Sequence, residues 1–120
     1  MTDSRFEVEH RPEESRYVLL DRGEDGSQSK EIGEEAYFDV AGDGRTERIL
    51  HHTLVSEEYG GQGLASVLVR RVVDEAVAAG HAIVPVCPYV AAWMPKHPEY
   101  VEHAVAARPE HLEALRNRPR

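Results

Sequence analysis

Residues 57–80 read EEYGGQGLASVLVRRVVDEAVAAG: three glycines within four positions, then an amphipathic run. From Leu64 onward, Ala65, Leu68, Val69, Val72, Val73 and Ala76 recur at helical spacing. Ser66, Arg70, Arg71, Asp74 and Glu75 take the polar side, and Gly80 is a natural stop, so the spacing predicts a helix over 64–79. Glycine is costly to order and poor inside a helix, so Gly60, Gly61 and Gly63 ahead of a helix start need a reason. A strand, a glycine-rich turn and a helix N-terminus together make an anion site. Successive N–H groups point outward, the helix dipole adds positive charge, and a phosphate can approach without meeting a Cβ. A turn that merely needs positive φ explains the same glycines.

Upstream, residues 6–10 alternate apolar and polar as a strand, RPEES is a turn, and RYVLLD (16–21) is a second strand. RGEDGSQSKEIG (22–33) reads as a polar loop. EEAYFDV (34–40) puts Ala36, Phe38 and Val40 on one face and Tyr37 and Asp39 on the other. AGDG is a hairpin turn, and RTERILHHTLV (45–55) is a long strand. Four strands joined by short connections predict an antiparallel meander. Downstream, HAIVPV (81–86) is a nearly all-apolar strand, as expected when both faces are covered. Joined to the long strand through a helix, it should run parallel to it in a right-handed crossover. PYVAAWM and PEHLEALR suggest two short helices. The expected fold is α/β (α+β): a mixed sheet, antiparallel first and parallel at the βαβ step.

The 120 residues are expected to form one domain, 1–120, with 41% hydrophobic residues for a core and 30% charged residues for a surface. A formal charge of −8 argues against duplex nucleic acid or an anionic membrane as partner and favours a cationic one. MTDSRFEVEHRPEE has neither a basic nor an apolar leader region, and one cysteine fits a reducing compartment, so a cytoplasmic protein is expected, monomeric or weakly dimeric. Without His-x-x-x-His or Cys-x-x-Cys, no metal site is expected.

GGQGLAS has no Walker lysine, and read as a dinucleotide fingerprint it fails at the third glycine. It resembles instead the pyrophosphate loop of GNAT-type N-acetyltransferases, Gln/Arg-x-x-Gly-x-Gly/Ala, with Gly63 and Ala65 at the small positions. Gly60 stands where the family usually has Gln or Arg. Downstream, IVPVCPYVAAWMPKHPEY resembles the signature of the small YjdJ-type branch, in which Cys-x-Tyr-Val precedes Lys-His-Pro-Glu-Tyr, and HTLV at Thr53 fits the same branch. The likeness spans roughly residues 36–100. It implies acetyl-CoA as cosubstrate, held by Leu54, Val55, Gly60, Gly61, Gln62, Gly63, Leu64, Ala65, Tyr89 and Lys96, and transfer of its acetyl group to an amine.

That reaction must deprotonate the amine. A lysine-like amine at pH 7 carries a penalty of about 4–5 kcal/mol at ~1.36 kcal/mol per pKa unit. The resemblance implies His52 as the base. On an unbroken strand His52 shares a face with Leu50 and Leu54, while His51 joins Ile49, Thr53 and Val55. Cys87 lies at the strand end where open α/β sheets place ligands. It can accept the acyl group or protonate the leaving thiolate. The alternative is a non-catalytic acyl-CoA-binding or regulatory module. His52 and Cys87 meeting in one cleft favours the enzyme; their separation favours the binding module.

Overall fold

A computed structural model describes residues 5–119; the first four, part of the stretch read as lacking a leader, lie outside the described residues. The strands are β1 (Phe6–Arg11), β2 (Arg16–Asp21), β3 (Lys30–Ala41), β4 (Thr46–Val55) and β5 (Ala82–Pro85). They form one mixed α/β sheet in chain order. The first four are antiparallel and β5 runs parallel to β4, as the crossover argument requires. Only a 3₁₀ turn, Pro12–Glu14, separates β1 from β2.

Helix α1 (Leu64–Ala78) links β4 to β5. It buries Leu64, Leu68, Val69, Val72, Val73 and Ala76, the stripe its spacing predicts. Its end is a Schellman turn: Gly80 has φ +81°, and the Gly80 and His81 N–H groups donate to the Val77 and Ala76 carbonyls at 3.0 and 2.9 Å. This stripe packs on Tyr17, Leu19, Tyr37 and Leu50 to make the main core, which α2 (Pro88–Trp93) extends with Val90 and Trp93. A smaller core on the opposite face joins Ile49 and Val84 to Leu115 of α3 (Pro109–Arg116). There His111, 1% exposed, lies 2.7 Å from Glu47 and holds the short α3 against β4.

Two local expectations are corrected. The stretch read as a loop up to Gly33 is strand from Lys30, because Lys30 and Glu31 pair with Asp21 and Leu20 while Ile32 turns inward. The second concerns β4. Ala36 pairs with His52 but Tyr37 pairs with Leu50, so His51 is an extra residue in a β-bulge. The bulge shifts the alternation by one. Leu50 lies in the main core and Ile49 in the smaller one, yet Thr53 and Val55 face the main core. His52 therefore keeps company with Leu54 but not with Leu50.

Candidate active site

The sheet splits beside the bulge. Strand pairing between β4 and β5 ends at Leu50 and Pro85. The Leu50 carbonyl accepts from both the Val86 and Cys87 N–H groups, at 3.1 and 2.9 Å, and the chain then leaves the sheet for α2. Residues 52–55 keep their β3 partners but have an open second edge.

The glycine turn follows that edge. Gly61 and Gly63 have φ of +80° and +71°, and a Cβ on either would meet nothing within 4 Å. Conformation requires glycine here, and the space in front of the turn is open. Among the described residues, the N–H groups of Gly61, Gln62, Gly63, Leu64, Ala65 and Ser66 donate to no carbonyl or side chain of the chain. Gly60 differs: its N–H is committed to the Glu57 carbonyl at 3.0 Å, and its φ of −64° is ordinary. Tyr59 pins the turn, donating to Asp21 at 2.5 Å, while Arg5 and the Gly23 N–H hold the same carboxylate, each at 2.8 Å. These bonds hold the Asp21 carboxyl far below its usual range, the Arg5 guanidinium contributing most.

Around the start of α1, Ser66, Tyr89, Trp93, Lys96 and His97 line a cavity of about 340 Å³. Trp93 donates its indole N–H to Ser66 at 2.9 Å, and the His97 ring stacks on Trp93 at 3.7 Å. Leu64 is buried, so it offers the site its N–H alone, while Leu54 is 54% exposed on the open edge and Val55 is half-buried.

Cys87, 7% exposed, directs Sγ to Thr53 Oγ1 at 3.2 Å. Thr53 in turn donates to Glu35 Oε1. Glu35 is fully buried and its Oε2 has no partner. Burial pushes this carboxyl up to about 8, against the pull of the Thr53 hydroxyl and the His52 backbone. His52 lies across the strand, its ring half-exposed and 3.7 Å from Glu34 Oε2. His51, at the bulge, is shifted downward by burial and by Arg118. The structure thus joins Cys87 to Thr53 and Glu35 and sets His52 on the other face. Among the described residues no cluster of three or more His, Cys, Asp or Glu is arranged to hold a metal, and no helix is long and apolar enough to cross a membrane.

The sequence pattern of the GCN5-related N-acetyl-transferase family matches residues 16–103. The chain belongs to that family. A GCN5-like protein from Staphylococcus aureus, known from a solution structure, is 25% identical, with a TM-score of 0.61 over 91% of this chain and 97% of its own. The ribosomal-protein-alanine N-acetyltransferase of Brucella melitensis is 19% identical, with a TM-score of 0.48 over 78% of this chain and 65% of its own. The NatC complex bound to a Gag peptide and CoA gives 19% identity and a TM-score of 0.47 over 57% of this chain and 45% of its own. No curated protein matches by sequence.

One residue of this GCN5-related acetyltransferase escaped the sequence reading. Glu35 sits in GEEAYF, where two adjacent carboxylates look like a polar strand edge. Its alternation with Tyr37 was the available signal, since a residue two positions from a buried tyrosine shares its face.

Proposed function

We propose that this chain is an acetyl-CoA-dependent N-acetyltransferase acting on an amine, a minimal enzyme occupying one domain over 1–120. The observation that carries this reading is the row of free N–H groups from Gly61 to Ser66, opening beside the same sheet edge as Thr53 and Cys87. A pyrophosphate matches that row in charge and in donor number, and no Cβ blocks its approach. Gly61, Gln62, Gly63, Leu64 and Ala65 would hold it through backbone N–H groups, with Leu54 and Val55 along the split and Tyr89 and Lys96 beside α1. Gly60 would serve as the turn residue that sets up this row. Bound there, the cosubstrate supplies an acetyl thioester.

The split gives the two reactive groups separate sides. Cys87, backed by Thr53, serves as the acid for the leaving thiolate, and His52 takes the amine proton from the opposite face. The amine attacks directly. A cavity of about 480 Å³ beside Leu54 and Val55, flanked by Glu31, Glu34 and Glu57, suits a cationic acceptor, in keeping with the net charge of −8. The S. aureus neighbour, matched over 97% of its length, is comparably small, which supports placement in the YjdJ-type branch. The lone cysteine suits a cytoplasmic enzyme. The second reading, a non-catalytic acyl-CoA-binding module, is favoured by the same separation of His52 from Cys87.

Thermal shift decides the ligand: acetyl-CoA should raise Tm, ATP and NAD should not, and Gly63→Val should abolish the rise. Equal stabilisation by ATP would overturn the assignment. Mass spectrometry with a panel of amines decides between enzyme and binding module, and acetylated product that declines with added salt supports a cationic acceptor. Cys87→Ser should retain part of the rate. An acetyl adduct on Cys87 that an amine then discharges would replace direct attack with a covalent relay.

A further inference from the structure

Glu35 is a buried acid that the fold leaves half-satisfied, and no stabilising partner explains it. Its Oε2 meets no donor, and its Oε1 is held by Thr53 alone among side chains. An unpartnered carboxyl oxygen with no exposure is a liability that folding would avoid if an apolar residue served as well. The surroundings supply no cation. Tyr17, opposite on β2, has its hydroxyl on Arg48, whose charge is taken by Asp39 at 2.8 Å. Glu34 is on the other face, directed to Arg16 at 3.0 Å. Helix α1 turns Leu64, Leu68 and Val72 toward the sheet, and its Glu75 interacts with Tyr17. The His52 backbone and the Thr53 hydroxyl are the groups that bond Glu35, and Thr53 continues to Cys87, giving a path from Glu35 to the thiol at the split.

We propose that Glu35 is the proton reservoir of Cys87, acting through the Thr53 hydroxyl. A hydroxyl can accept and donate at once: when Glu35 carries its proton on Oε1, the contact that Thr53 donates to the carboxylate reverses, so that Thr53 accepts from Glu35 and donates to Sγ. The relay runs from Glu35 to Thr53 to Cys87. As the Sγ–H proton goes to the leaving thiolate, the Thr53 hydroxyl proton moves to Sγ and the Glu35 proton moves to Oγ1. Three bonds to hydrogen break and three form; Glu35 is left as carboxylate and is reloaded from solvent along the same path once the products leave, while His52 returns the amine proton to solvent. A carboxyl that titrates near 8 is loaded at neutral pH, which suits a donor. Glu35 touches neither substrate; it acts through Cys87.

The catalytic part of this inference rests on the acetyltransferase reading; the coupling of the three groups does not, and the test separates them. In the unliganded protein, alkylation of Cys87 by iodoacetamide followed from pH 6 to pH 10 should show, besides the thiol's own ionisation, a separate inflection near pH 8 from Glu35. Glu35→Gln and Thr53→Val should each erase it, and Thr53→Ser should restore it. Persistence of the inflection in either of the first two variants, or its absence from the wild type, overturns the relay whether or not the protein turns over. Where turnover is present, Glu35→Gln should lower kcat about tenfold to a hundredfold, with the KM for acetyl-CoA within about twofold, and remove the alkaline limb of the kcat profile. A variant that keeps the wild-type kcat and that limb refutes the catalytic role. Thr53→Ser controls for folding, because it keeps the hydroxyl and deletes only a methyl group.

Discussion

Residues 46–50 and 51–55 belong to one strand, β4, but live in different surroundings. The first half is bonded to β3 on one edge and β5 on the other, and Ile49 and Leu50 are fully buried on opposite faces. The second half keeps only β3; Leu54 is 54% exposed, and His52 and Thr53 carry the polar groups nearest the split. Apolar content does not separate the halves, since each has adjacent aliphatic residues, Ile49 and Leu50 in one and Leu54 and Val55 in the other. Pairing on the second edge does. Where both edges are bonded, the strand is scaffold, and where one edge opens, backbone and side chains become available to a ligand.

The largest test of this contrast is a pH series on stability, because Glu35 pairs with the open half yet is completely buried. Its carboxyl stands at about 8 in the folded chain, against an ordinary value of 4.5. Between those values the folded chain keeps a proton that the unfolded chain has released. Stability is therefore greatest below the unfolded value and falls as pH rises through the folded one. The loss is on the order of 4 kcal/mol at ~1.36 kcal/mol per pKa unit. Urea melts at pH 5 and pH 9 should show this slope in the wild type and a much flatter one in Glu35→Gln. Equal slopes would mean that the open half wets the carboxyl.

Next comes the paired half. Leu50→Ala removes a fully buried side chain from the main core and should cost about 3 kcal/mol, read as a fall in the urea midpoint at constant slope. A loss below about 1 kcal/mol would mean that the core collapses around the gap and that the halves differ less than their burial suggests.

A smaller effect is expected at the turn that follows the open half. Gly63→Ala places a Cβ at φ +71° with no steric neighbour, so the cost is conformational alone, about 1–2 kcal/mol. Gly60→Ala, at an ordinary φ of −64°, brings a Cβ to 3.2 Å from the Glu57 carbonyl, so any cost there is steric, and differential scanning calorimetry of the pair compares it with the conformational cost at Gly63. The smallest effect is Leu54→Ala, which should change stability by less than about 0.5 kcal/mol while weakening the thermal shift given by acetyl-CoA. A stability loss matching that of Leu50→Ala would erase the distinction between the halves.

Much of the fold was legible because its signals are local. The stripe from Leu64 to Ala76 marked α1, Gly80 marked its end, and PEHLEALR coincides with α3. The all-apolar stretch before Cys87 announced a strand covered on both faces, and both cores do cover it, with Ile83 in one and Val84 in the other. The glycine turn was legible too, since positive φ is a property of the residue itself, and Gly61 and Gly63 use it. The start of β3 was missed because Lys30 and Glu31 are strand only by pairing with β2.

The site divides along the same line. By itself, the sequence determined that a glycine-rich turn of positive φ precedes α1 and that a thiol follows β5. It could not determine which face each β4 side chain takes. Alternation is a local rule only while the ladder is unbroken, and the extra residue at His51 is defined by its partners, Ala36 and Tyr37, on another strand. That single bulge put Thr53 beside Cys87 and His52 across the sheet. Tertiary packing also decided the fate of Glu35, since two adjacent glutamates are identical in sequence chemistry. One reached Arg16 at 3.0 Å, and the other was enclosed with Thr53 and the path to the thiol, where burial outweighs the hydrogen bonds in setting when it holds its proton.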